Sequence, residues 1–145
     1  DRSMTNVLKC HKGIGPRVQG IALCASDDFS ARYDLDRIRG VFSRPAHKLY
    51  GEDYRGRILV LNTAKGGVAS AWMLRHMRET GITPLAYVFN SVNPILAQGA
   101  AFGEMTMVDR FEAGDVTKLF RTGDELLIDP ELGNVTIVKR APEHS

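Results

Sequence analysis

Apolar positions along the chain fall into short blocks whose spacing names the elements. Arg57–Leu61 (RILVL) is a compact apolar run between Gly56 and a small polar stretch, the pattern of a strand buried on both faces. Val18–Ala25 (VQGIALCA) alternates small and branched apolar residues after a Gly/Pro lead-in and predicts a second strand; Thr83–Phe89 and Met105–Val108 predict two more. Ala69–Thr80 places Ala69, Trp72, Met73, His76 and Met77 on one side of a helix ended by Gly81, and Pro94–Phe102 reads as a short helix with Pro at its start. Strands alternating with helices favour parallel pairing through crossover connections. The C-terminal part differs: Glu125–Asp129 and Asn134–Lys139, separated by turn residues Pro130–Gly133, form a β-hairpin. The expectation is an α/β domain with a mixed sheet, a central strand, loop, helix, strand unit and a C-terminal hairpin. Residues 26–49 show no sustained period, and so long an irregular stretch in a small domain points to function.

At 145 residues the chain has room for one core. The domain is expected over residues 4–140, with Asp1-Arg2-Ser3 ahead of Met4 read as a cloning remnant. A formal charge of +2 is too slight to argue for nucleic acid or an anionic membrane as partner. The charge is uneven, with 11 basic and 7 acidic residues over 1–60 against 8 and 10 over 61–145, so an anion-attracting surface belongs to the first half. Only Cys10 and Cys24 are present, without CxxC spacing, which excludes a disulfide scaffold and a self-contained metal site and fits a reducing, cytoplasmic setting. No run approaches the roughly 20 apolar residues of a membrane span.

The candidate chemistry gathers at Asn62–Ser70 (NTAKGGVAS), between a buried strand and a helix start. Free backbone N–H groups and the positive end of a helix dipole there favour a carboxylate or phosphate, and Gly66 and Gly67 let it approach the backbone. Lys65 adds charge. Ser70 is either a hydroxyl for proton transfer or a helix N-cap in a tight turn. GxxxxGK[ST] and GxGxxG are both absent, so no nucleotide fingerprint is present. His47, just upstream of the central strand, is a candidate proton carrier or substrate contact, against the plainer reading of a polar loop residue. The mixed-charge run Ser30–Arg37 is able to hold an acidic substrate through Arg32 or Arg37, or to form a solvated salt-bridge network. Asn90 and Asn93 either bond a ligand or cap the following helix. No nucleophile–base pair is complete.

Several segments in order, Gly20–Ala25, Phe29-Ser30 followed by Gly40, His47–Gly51, Gly56–Leu61, Lys65-Gly66-Gly67, Pro84-x-Ala86, Asn93–Ala97 with Gly99-Ala100, and Gly123-Asp124, resemble the small swivel domain of aconitase X from about Val18 to Val138. The resemblance implies a swivelling β/β/α fold and a large partner subunit carrying an iron–sulfur cluster, so that this chain binds no cofactor of its own. It implies dehydration of a small hydroxy acid, cis-3-hydroxy-L-proline or mevalonate 5-phosphate in that family, at the interface of the two subunits. The family loop reads G-[RK]-G-S, its serine being the proton-abstracting base; here that position is Gly67. On this reading Ser70 is the candidate acid/base, and Lys65, Gly66, Gly67, Ser30, Arg32 and His47 are substrate contacts. The alternative is a non-catalytic swivel module that binds an acidic ligand or partner.

Overall fold

The computed structural model describes residues 6–102 and 104–142. Asp1–Ser3, Met4 and His144 lie outside them. Among the described residues, seven strands form one mixed sheet in the order β1-β9-β8-β2-β5-β6-β7. These are β1 (Asn6–Lys9), β2 (Val18–Cys24), β5 (Ile58–Thr63), β6 (Ala86–Ser91), β7 (Thr106–Val108), β8 (Glu125–Asp129) and β9 (Asn134–Lys139). β2, β5, β6 and β7 pair in parallel, and β8 joins the other side of β2 antiparallel, so the predicted hairpin extends the parallel block into one continuous sheet. The crossovers from β5 to β6 and from β6 to β7 carry α2 (Val68–Thr80) and α3 (Pro94–Phe102).

Period-two alternation explains why the central strands read as unbroken apolar runs. Leu59 and Leu61 of β5 and Tyr87 and Phe89 of β6 join Leu74, Met77, Leu96 and Ala100 of the helices in one core cluster. Their neighbours Ile58, Val60, Ala86 and Val88 face a second cluster with Leu126, Ile128, Val135 and Ile137 from the hairpin. Each strand is thus buried on both faces. α2 and α3 approach closely because Gly99 has no side chain: a Cβ there would lie 2.7 Å from the Ala71 Cα.

Four expectations change. The α2 face that packs is Ser70, Ala71, Leu74 and Met77, about one residue out of phase with the predicted Ala69, Trp72, Met73, His76 and Met77; Trp72 is 61% exposed. The strand predicted from Thr83 begins at Ala86, because Pro84 offers no N–H to a ladder. The N-terminal edge strand β1 and the short helix α4 (Val116–Leu119), capped by Asp115 through the Thr117 N–H, went unpredicted. Residues 26–49 hold α1 (Ala31–Asp34) and a ribbon of β3 (Leu35–Asp36) with β4 (Val41–Phe42). No helix among the described residues is long and apolar enough to cross a membrane.

Candidate functional site

The loops that leave the carboxyl ends of β2, β5 and β6 meet at one edge of the sheet, the edge at which open α/β sheets present ligand sites. The β2 loop is laid against the β5 loop by two backbone bonds, Phe29 N–H to the Thr63 carbonyl (2.8 Å) and Lys65 N–H to the Phe29 carbonyl (2.7 Å). Asp28 fastens the same junction, accepting from Asn62 Nδ2 and Thr63 Oγ1, both at 2.8 Å, and pairing with Lys65 Nζ at 3.2 Å. Partial burial pushes its carboxyl up, but the hydrogen bonds from Thr63, Lys65 and Asn62 and the Lys65 charge outweigh that and hold it below the ordinary carboxylate value.

The glycine loop turns on Gly66, whose φ of +129° lies where side chains are strained. A Cβ at Gly66 would also fall 2.5 Å from the Ser70 Cβ. Gly67 follows as the N-cap of α2, at φ −122° and ψ −139°, with no side-chain cap; a Cβ there would meet nothing within 4 Å. Among the described residues, the N–H groups of Gly67, Val68, Ala69 and Ser70 have no protein acceptor. Unpaired donors therefore gather at the positive end of a 13-residue helix, a setting suited to an oxyanion.

Beside this loop opens a polar cleft of about 420 Å³, lined among others by Asp28, Ser30, Tyr33, Asp34, Arg44 and Lys65. Of the residues singled out from sequence, Lys65 and Ser30 line it, and Gly66 and Gly67 follow Lys65 in the adjoining loop. Ser30 is half buried at the start of α1, its N–H bonded to Asp34 Oδ2 at 2.8 Å. Arg32 is exposed, its guanidinium over the Tyr33 ring at 5.4 Å, and does not line the cleft. Ser70 is 3% exposed, packed in the first turn of α2 under Gly66; the cap is Gly67, so the N-cap reading of Ser70 does not hold.

His47 is 2% exposed and lies behind the cleft wall. Its Nδ1 accepts from the Leu49 N–H at 3.1 Å, which places the proton on Nε2, 3.1 Å from the Asp28 carbonyl. The Asp27 and Asp34 carboxylates at 3.8 and 3.9 Å are too far for hydrogen bonds. His47 therefore braces the Asp27–Ser30 loop through backbone contacts and a Phe42 ring 4.8 Å away. Asp34 is the other brace: buried, it accepts from Ser30 and from Arg44 Nε at 2.5 Å.

Asp28, Arg44 and Tyr33 are site residues that the sequence did not single out; the one available signal was the Asp27-Asp28 pair directly after a strand. Asn93 resolves in favour of capping, with Oδ1 accepting the Leu96 N–H of α3 at 2.8 Å, while its Nδ2 donates to the Gly66 carbonyl at 2.8 Å. Asn90 ties Asn62 and Asp115 together and accepts from Val116. A narrower apolar groove of about 160 Å³ between α2 and α3 runs along the helix that starts at the glycine loop, with Val68, Trp72 and Ile95 exposed along it and Arg75 stacked 5.3 Å from the Trp72 ring.

The implied iron–sulfur cluster requires thiolates. Burial, and secondarily Asp124, pushes the Cys24 thiol up to about 12; burial, and secondarily Asp109, pushes Cys10 up to about 11. Among the described residues no group of three His, Cys, Asp or Glu side chains could hold a metal. The described residues of this chain do not fit the cluster.

Comparison with known proteins agrees with this architecture. The phosphomevalonate dehydratase small subunit of Methanococcoides burtonii is 30% identical over 137 residues, 94% of this chain and 99% of the relative. That of Methanocella arvoryzae is 28% identical over 130 residues, 90% and 98% of the two chains. The crystal structure of holo aconitase X from Thermococcus kodakaraensis superposes with a TM-score of 0.84 over 92% of this chain and 99% of that chain, at 22% identity, a likeness of fold. The pattern of the aconitase X swivel domain matches residues 7–137, which reaches into every strand of the sheet and takes in the glycine loop and the cleft beside it: the chain belongs to the aconitase X swivel domain family.

Proposed function

We propose that this chain is the small subunit of an aconitase X-type hydro-lyase and closes over a small hydroxy acid held at the iron–sulfur centre of a large partner subunit. The observation that carries this reading is the row of four unpaired amides at Gly67–Ser70, beside a polar cleft that holds Lys65 and Ser30. Water loss from a hydroxy acid needs its carboxylate fixed while a C–H proton and the hydroxyl leave. The amides of this loop and the Lys65 ammonium supply the fixing, at a site that uses backbone alone for its closest contacts. Asp28 sets where Lys65 stands, and His47 and Asp34 keep the cleft wall in place behind Ser30. Arg32, stacked on Tyr33, stands outside the cleft lining.

The exposed apolar line of Val68, Trp72 and Ile95 supports a partner on the face beside the loop, since a covered helix face accounts for large apolar side chains standing in solvent. The two relatives named above are small subunits of phosphomevalonate dehydratases. Both a cyclic amino acid of the cis-3-hydroxy-L-proline type and a phosphorylated hydroxy acid carry the carboxylate this loop would clamp.

Ser70 places a hydroxyl directly beneath the loop, and proton exchange with substrate requires Gly66 to lift away from it. Gly67, where the family loop has its serine, has open space instead of a hydroxyl. These two facts favour one second reading, a swivel module that binds an acidic ligand or partner without chemistry of its own. The deciding experiment is the chain co-expressed with a large aconitase X-type subunit, as wild type, Ser70→Ala and Gly67→Ser. Turnover lost in Ser70→Ala assigns the proton step to that hydroxyl. A complex that binds hydroxy acid, eliminates no water, and gains turnover in Gly67→Ser establishes the binding module. Failure to form any complex refutes both the subunit reading and its interface.

A further inference from the structure

The carboxylate site proposed above depends on which way one peptide bond faces, and that bond joins two glycines. Gly66 and Gly67 both lack the Cβ that normally restricts rotation, so the plane between them can turn over at little steric cost unless something outside the loop holds it. One side chain does. Asn93 Nδ2 donates to the Gly66 carbonyl at 2.8 Å. A trans, planar peptide puts the carbonyl and the following N–H on opposite sides, and the described peptides are all trans. Holding the Gly66 oxygen toward α3 therefore points the Gly67 N–H the other way, where it has no protein acceptor.

The orientation of the Asn93 amide is itself fixed. Its Oδ1 accepts the Leu96 N–H at 2.8 Å, so the group facing Gly66 is the NH₂. Asn93 also caps a rigid element, because α3 is anchored in the core by fully buried Leu96 and Ala100. The side chain thus links the first turn of α3 to the loop at the start of α2.

We propose that Asn93 is a positioning residue that holds the Gly66–Gly67 peptide with its N–H presented to the substrate carboxylate. This rests on the carboxylate reading of the loop. The substitution Asn93→Asp separates the two tasks of the side chain: it keeps the oxygen that caps α3, where Asp and Asn are equivalent caps, but cannot donate to the Gly66 carbonyl.

The test uses the full chain as wild type and Asn93→Asp, titrated with sodium acetate at constant ionic strength and followed by the Gly67 amide resonance and the Gly66 carbonyl ¹³C shift. The expected result is at least a tenfold weaker acetate response in Asn93→Asp, a displaced Gly66 carbonyl shift, and an unchanged or raised Tm. In the two-chain enzyme the same variant raises KM for the hydroxy acid by more than it lowers kcat. Equal acetate affinity with an unmoved carbonyl resonance overturns the proposal. If the wild-type chain itself gives no acetate response, the carboxylate reading fails first, and the carbonyl shift still decides: unmoved, it removes the anchor; displaced, it keeps the anchor for a loop with another ligand.

Discussion

Gly66→Ala offers the sharpest test of the loop geometry, because it imposes two penalties that can be measured apart. The first is conformational: at φ +129° a side chain sits in a region that costs about 1–3 kcal/mol. The second is steric: the new Cβ would lie 2.5 Å from the Ser70 Cβ in a packed first turn of α2, an overpacking that costs about 1–3 kcal/mol. Together the variant should lose about 2–6 kcal/mol, a large part of the roughly 5–15 kcal/mol that holds a domain folded. Each kcal/mol should appear as about 2–4 °C in Tm for a chain of this size. Ser70→Gly removes the colliding atoms but not the backbone strain. Alone it should cost about 1 kcal/mol as a glycine inside a helix. In the Gly66→Ala background it should cost less or stabilise, giving a coupling of about 1–3 kcal/mol in a double-mutant cycle read by urea unfolding. A Gly66→Ala variant within about 0.5 kcal/mol of wild type, with no coupling to Ser70, would refute the loop conformation and the donor row drawn from it.

Trp72→Glu should leave the Tm of the isolated chain within about 2 °C, since substitutions at exposed sites are usually within about 0.5 kcal/mol, yet abolish co-purification with a large subunit. Unchanged association would move the interface off the α2–α3 face. Asp28→Asn should flatten the acid limb of the stability curve. A carboxyl held below its ordinary value of 3.8 contributes stability that is fully present well above that value, so wild type should lose its advantage over the variant as pH falls below 3.8 and through the lower folded value. Parallel curves for the two proteins would show that Asp28 does not fasten the loop. Cys24, with its thiol pushed up to about 12, should carry roughly a thousandfold less thiolate at pH 8 than a free cysteine and react correspondingly slowly with a disulfide reagent in the native chain. Prompt labelling without unfolding would contradict the raised thiol.

The parallel core was legible because β5 and β6 are buried on both faces, which leaves short apolar runs that periodicity picks out. The hairpin strands β8 and β9 match their sequence boundaries, the turn residues Pro130–Gly133 punctuating them. The α2 phase was misread for an informative reason: Trp72 and Met73 dominate the apolar signal, and Trp72 stands in solvent, so a face suited to a partner was counted as core. Residues 26–49 were opaque because their order comes from single polar contacts. Asp36 caps the turn through the Ile38 and Arg39 N–H groups, Arg44 reaches Asp34, and His47 grips backbone, none of which leaves a periodic trace. Of the site, the glycine loop could be read directly, since strand, glycine pair and helix follow one another in the chain. Asp28, Arg44 and the Asn93 anchor could not, because each reaches the site from a different loop.

One measurement tests the subunit assignment most directly: the rate of water elimination from mevalonate 5-phosphate and from cis-3-hydroxy-L-proline as this chain is titrated into a purified large aconitase X-type subunit. The predicted result is no turnover from either chain alone and a rate on one of the two substrates that rises with added chain and saturates at one copy per large subunit. A rate already maximal without this chain, or absent at every ratio on both substrates, would contradict the assignment.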